Sequence, residues 1–182
     1  MGRGAATLML LGGAPGSGKS TLAARLAEER PLALALDIDV LKHSLGGWDE
    51  DLTRSGLQAR RLAAAMIGQH LADGHDVLLG QYLARTSFIE QLEQLAADHG
   101  ARFVEVVLIL DERTLAQRLQ ERRERPDRPE QTRNDRFVGP DQAGELVDSI
   151  EDVLAKRPAA RRVDASGSIA DTLTAVRALL GP

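Results

Sequence analysis

The chain has no cysteine among its 182 residues. Disulfides, thiolate metal sites and thiol nucleophiles are therefore excluded. Aromatic residues are scarce, at 3%, and the formal net charge is −4. Both argue against a surface built to neutralise and stack on nucleic acid. No apolar run approaches the roughly 18–20 residues of a membrane-spanning helix, so no membrane segment is expected. The apolar stretch near the N-terminus is too short for a secretory signal, and a cytoplasmic location is expected. The histidines at positions 43, 70, 75 and 99 show no metal-ligand spacing, and His43 reads as a solvated side chain. Lysine is rare too: Lys19, Lys42 and Lys156 stand against 20 arginines.

What is present is a folded chain of 43% hydrophobic residues, of a size that suits one domain over residues 1–182. Its most specific stretch is Gly13-Ala14-Pro15-Gly16-Ser17-Gly18-Lys19-Ser20. This fits GxxxxGK[ST], the Walker A phosphate-binding loop. Residues 7–11 before it form a short apolar run, read as a buried strand. Residues 22–27 after it read as a helix, with Leu22 and Leu26 on one face. Glycines at 13, 16 and 18 allow positive φ and close approach of the backbone to a ligand. The amides of residues 16–20 are then expected to form an anion nest, backed by the helix N-terminus. Lys19 is expected to reach the β- and γ-phosphates of a nucleotide, and the Ser20 hydroxyl to ligate Mg²⁺.

Strand and helix patterns alternate along the rest of the chain. Strands are expected at residues 32–36, 77–79, 103–110 and 162–164. Helices are expected at 40–45, 51–73, from a Ser87/Glu90 capping box to Gly100, at 114–125, 142–156 and 169–180. In the long helix, Leu62, Met66, Ile67 and Leu71 are read as one buried face. Residues 118–140 are read as a lid, with prolines at 126, 129 and 140. Alternation of this kind implies a parallel sheet covered on both faces, with ligands at the carboxyl ends of its strands.

The residues after each strand are therefore the informative ones. Asp37 and Asp39 follow the second strand and, on an extended segment, face the same side. A carboxylate there can take a proton from an attacking hydroxyl or help hold Mg²⁺. Either can instead cap the next helix. Gln81 and Tyr82 follow the third strand. Arg118 and Arg122, four apart, share a face of the helix after the fourth strand. Arg122 suits neutralisation of a transferring phosphoryl group, and Arg118 that or stacking on a base; a solvated basic face is the alternative. Trp48, on the Gly46-Gly47 loop, offers either a stacking surface or ordinary packing.

The Walker A loop, Asp39-x-x-Lys42 and Arg118-x-x-x-Arg122 together resemble the small P-loop kinases. The similarity is to the AAA_33-like branch with polynucleotide kinase, zeta toxin, chloramphenicol phosphotransferase and gluconate kinase, and it extends over nearly the whole element order. It implies a three-layer α/β/α fold with a five-stranded parallel sheet, order 2-3-1-4-5, and a helical lid. It also implies that Asp39 activates the acceptor hydroxyl, that Lys42 contacts the acceptor, and that Arg118 and Arg122 bind nucleotide and transferred phosphoryl. The loop after strand five, with Gly167, would border the base. Many relatives carry an acid after strand three, where this chain has Gly80-Gln81-Tyr82. A Walker B carboxylate is thus missing there, and Gln81 and Tyr82 are expected to face the acceptor.

The resulting expectation is an ATP- and Mg²⁺-dependent phosphotransferase acting on a hydroxyl of a small molecule (a sugar, nucleoside or antibiotic), as a monomer or homodimer. Asp39, Lys19 and Arg122 are the expected catalytic residues. The nucleotide site comprises residues 13–21 (Gly13, Ala14, Pro15, Gly16, Ser17, Gly18, Lys19, Ser20, Thr21) with Arg118, Arg122 and Gly167. The acceptor site comprises Asp37, Asp39, Lys42, Gln81 and Tyr82. A polynucleotide 5′-kinase, a zeta-toxin-like nucleotide-sugar kinase, and an ATP-hydrolysing regulatory module without an acceptor are the alternatives. No Asn-Lys-x-Asp guanine signature is present.

Overall fold

The computed structural model describes residues 5–125 and 138–180. Five parallel strands form one sheet: β1 (Thr7–Gly13), β2 (Leu34–Leu36), β3 (Val77–Gly80), β4 (Arg102–Ile109) and β5 (Arg161–Asp164). Their order is β2-β3-β1-β4-β5, as the resemblance implies. Seven helices are described: α1 (Lys19–Glu28), α2 (Ile38–His43), α3 (Leu52–Ala72), α4 (Ser87–Asp98), α5 (Glu112–Glu124), α6 (Ala143–Lys156) and α7 (Ile169–Leu180). A 3₁₀ turn at Pro140–Gln142 leads into α6.

β1 is central and buried on both faces. Met9 and Leu11 point into a core with α1, α5, α6 and α7. Leu8 and Leu10 point into a second core with α3 and α4. This period-two division of an apolar run is what a parallel sheet between two helical layers requires.

Three local expectations are corrected. The second strand is only three residues long, because Leu32 sits in a turn at φ 61 and is 70% exposed. The long helix buries Ser55, Ala59, Ala63, Ile67, Gly68 and Leu71, whereas Leu62 and Met66 are partly exposed. Small side chains let α3 lie close to the α4 layer; a Cβ on Gly68 would stand 3.1 Å from His99 Nε2. The Ser87/Glu90 capping box does not form. Thr86 precedes α4 in helical conformation without a side-chain cap, which places Ser87 inside the helix. The lid reading falls mostly on residues 126–137, outside the described residues.

Within β4, Glu105 interrupts the apolar run and is buried. It is held by Arg157, at the end of α6, through contacts of 2.9 and 2.8 Å, and Arg157 also pairs with Glu93 of α4. Burial pushes the Glu105 carboxyl up, and the Arg157 guanidinium opposes that shift.

Candidate active site

The helix that follows β1 begins with an open first turn. α2, α3 and α5 are each capped by an aspartate, Asp37, Asp51 and Asp111 respectively. α1 has Gly18 at its cap, in left-handed conformation, no side-chain cap and no acid in its first turn. The orphan N–H groups of that turn and the positive end of its dipole are thus left to a ligand. Gly16 and Gly18 take φ 84 and 92. The expected nest is smaller by one donor, since the Ser17 N–H is spent on the Ala14 carbonyl at 3.1 Å.

A cleft of about 1010 Å³ opens above this turn. Of the expected loop residues, Pro15, Gly16, Gly18, Lys19, Ser20 and Thr21 line it. Gly13, Ala14 and Ser17 lie buried behind the loop and shape it. The Lys19 ammonium folds back to donate to the Ala14 carbonyl at 3.0 Å. Burial, and then the nearby Arg122 guanidinium, lower the Lys19 pKa to about 8, while Asp37 and Asp39 oppose the shift.

Asp37 and Asp39 both line the cleft, but not from an extended segment. Asp37 is the N-cap of α2 and Asp39 lies in its first turn. One Asp37 oxygen accepts from the Asp39 N–H at 2.9 Å, and the other accepts the Ser20 hydroxyl at 3.0 Å. Asp37 therefore caps a helix and reaches the phosphate loop at once. The Asp39 carboxyl is pushed up, first by burial and then by Asp37; Lys19 and Lys42 pull it down. Among the described residues, no cluster of three or more His, Cys, Asp or Glu is set to hold a metal. The Ser20–Asp37 oxygen pair does fit a hard cation that takes its remaining ligands from phosphate and water.

Lys42, Gln81 and Tyr82 line the same cleft. The Tyr82 hydroxyl is within 3.0 Å of Ser149 Oγ, which ties the loop after β3 to α6. Lys42 lies 5.2 Å from the centre of the Trp48 ring, and Trp48 stands edge-on to His43. His43 is partly buried, not the solvated side chain expected. Arg118 and Arg122 face the cleft from α5. Arg118 donates to the carbonyls of Ala165 and Gly167, at 2.7 and 3.2 Å. Gly167 is thus joined to the site through Arg118 and does not itself line the cleft.

Sequence reasoning passed over Gly80. A Cβ there would lie 3.1 Å from the carbonyl carbon and oxygen of Lys19 and the Cα of Ser20. Its signal was a glycine ending an apolar strand. Val40, Leu52 and Val138 also line the cleft; nothing in their residue types marked them.

An AAA domain family model, AAA_33, matches residues 8–138. The chain belongs to the AAA_33 family. It is a kinase-like P-loop nucleotide-binding protein. It is 27% identical over 180 residues to the adenylate kinase of Micrococcus luteus, covering 91% of this chain and 86% of that one. A gluconokinase from Sinorhizobium meliloti 1021 has the same fold, with TM-score 0.62 at 21% identity, over 98% of this chain and 92% of that chain. So does the tunicamycin resistance protein of Deinococcus radiodurans, with TM-score 0.64 at 16% identity, over 97% and 96%. Among the described residues, no helix of this AAA_33 member is long and apolar enough to cross a membrane.

Proposed function

We propose that this chain transfers the γ-phosphate of ATP to a hydroxyl of a small molecule, with Asp39 as the general base. One observation supports this above the others. A single cleft joins the uncapped start of α1, with Lys19, to a carboxylate whose proton affinity is raised by burial.

In this reading the triphosphate lies along the first turn of α1. The Asp39 carboxylate takes the proton of the incoming hydroxyl as its oxygen forms a bond to the γ-phosphorus, and ADP departs as the leaving group. A raised pKa strengthens a carboxylate as a base. Lys19 and Arg122 stand where charge develops on the transferring group and on the β-phosphate oxygens. Arg118, fixed on two backbone carbonyls, offers a guanidinium plane to the base. Ser20 and Asp37 would hold Mg²⁺, directly or through water. The cation would supply charge neutralisation between the phosphates.

The test is a screen of hydroxylated metabolites, nucleosides and antibiotics with γ-labelled ATP, scoring label transfer and acceptor-stimulated ADP release. At least one acceptor is expected to be labelled, and Asp39→Asn to abolish most of that labelling. ADP release that no acceptor stimulates, unchanged in Asp39→Asn, would refute the proposal.

A further inference from the structure

Two large apolar side chains stand in solvent on the wall of a largely polar cleft. Val40 of α2 is 41% exposed, and Leu52, which opens α3, is 40% exposed; both line the same cleft as Asp39. The other apolar residues of α2 turn to the protein: Ile38 is buried and Leu41 packs against the α3–α4 core. α2 thus needs nothing from Val40 for its own packing. Apolar surface beside a few convergent polar groups is the usual lining of a small-molecule site.

Cations are unevenly spread around this cleft. Lys19, Arg118, Arg122 and Arg125 come from α1 and α5, on the nucleotide side. On α2, α3 and the loop after β3, Lys42 is the one cation among the described cleft residues, and it is already drawn to Asp39 and to the Trp48 ring. Recognition of a phosphate or carboxylate on the acceptor favours several donors, best a bidentate guanidinium, and among the described residues this wall supplies one lysine and no guanidinium. It also carries two negative charges, Asp37 and Asp39, which oppose a second anion.

Gln81 adds a third observation. Its Oε1 is buried and has no hydrogen-bond partner among the described residues, while the residue lines the cleft. A buried amide oxygen without a donor is costly, and a ligand O–H or N–H would satisfy it.

Building on the phosphotransferase reading, we infer that the acceptor is an electrically neutral, amphipathic alcohol. Its reacting hydroxyl meets Asp39, a second O–H or N–H donates to Gln81, and an apolar flank covers Val40 and Leu52.

The experiment uses acceptor pairs that differ in charge: uridine and uridine 5′-monophosphate, octyl glucoside and gluconate, chloramphenicol and its succinate ester. Transfer of labelled γ-phosphate gives kcat and KM. Quenching of Trp48, the chain's one tryptophan, gives binding in the presence of a non-hydrolysable ATP analogue. The neutral member of a pair is expected to be preferred by about tenfold or more in kcat/KM. Leu52→Ser is expected to raise the KM for that acceptor by about tenfold, as expected for lost apolar contact in a pocket, and more than it raises the KM for ATP. Leu52→Met should restore the parent value. Gln81→Leu should weaken acceptor binding in the quenching assay. Preference for the anionic members overturns the inference and leaves a kinase. An unchanged acceptor KM in Leu52→Ser, or a fall in Tm without a KM change, assigns Leu52 to packing and also overturns it. Transfer to no member of any pair, with ATP bound and hydrolysed, removes the phosphotransferase reading and this acceptor class together.

Discussion

The Ser20 hydroxyl donates to Asp37 Oδ2 across 3.0 Å, while Asp37 Oδ1 caps α2 at 2.9 Å. One carboxylate therefore sets the start of α2 against the start of α1. Asp37→Asn keeps a good capping side chain and removes the charge. Tm is expected to change little, while the Mg²⁺ concentration needed for half-maximal ATP binding rises by about tenfold or more. A metal titration of nucleotide binding measures this. Because Asp37 also pushes the Asp39 carboxyl up, the acid limb of the kcat–pH profile is expected to move to lower pH in the same variant.

Asp39→Asn removes the base without changing the size of the side chain. Turnover is expected to fall by about 10²-fold or more, with ATP affinity nearly intact. Single-turnover kinetics beside equilibrium binding separate the two effects. Wild-type turnover in this variant would show that Asp39 does not take the proton.

The Lys19 ammonium, with its pKa lowered to about 8, makes nucleotide binding pH-dependent. The triphosphate binds the protonated form. Above pH 8 the free protein must take up a proton to bind, and affinity is expected to fall by about tenfold per pH unit there. Below pH 8 the lysine is already charged, and this dependence vanishes. Calorimetry in buffers of different ionisation enthalpy reads the proton uptake. Arg122→Gln removes a cation that lowers the pKa, so the onset is expected to shift to higher pH; an onset that stays put would separate Arg122 from Lys19.

Arg157→Ala tests the buried ion pair far from the chemistry. Glu105 would be left almost without compensation inside the sheet, at a cost of about 3–5 kcal/mol wherever it is ionised. The sign of the pH dependence follows from the raised carboxyl pKa. A raised pKa means that the folded state binds more protons than the unfolded one as pH falls from the folded pKa to the unfolded value. The variant's deficit is therefore expected to be largest above the folded pKa and to shrink as Glu105 protonates in acid. Urea unfolding at several pH values checks it.

Much of this architecture is legible in the sequence, and for identifiable reasons. The phosphate loop needs glycine at positive φ and a lysine at a fixed spacing, and few other structures want that combination. The fourth strand and the helix after it announce themselves by an apolar run followed by Asp111, which does cap that helix. Where local pattern was ambiguous, tertiary contact decided. Leu62 and Met66 have helical spacing with Ile67 and Leu71, yet α4 selects the neighbouring small-residue face. Asp37 and Asp39 follow a strand, and spacing alone could not tell an extended pair from a cap and first turn. Gly80 escaped notice because its constraint comes from the backbone of residues 19 and 20, which sequence spacing does not display.

Arg118 grips two carbonyls of the segment between β5 and α7, and α7 in turn pairs with the end of α1 through Arg177 and Glu29. The last described strand and helix are therefore tied both to α5 and to α1, the helices that bring Lys19, Arg118 and Arg122 to the cleft. Removing β5 and α7 is therefore expected to release the Arg118 guanidinium from both of its backbone anchors.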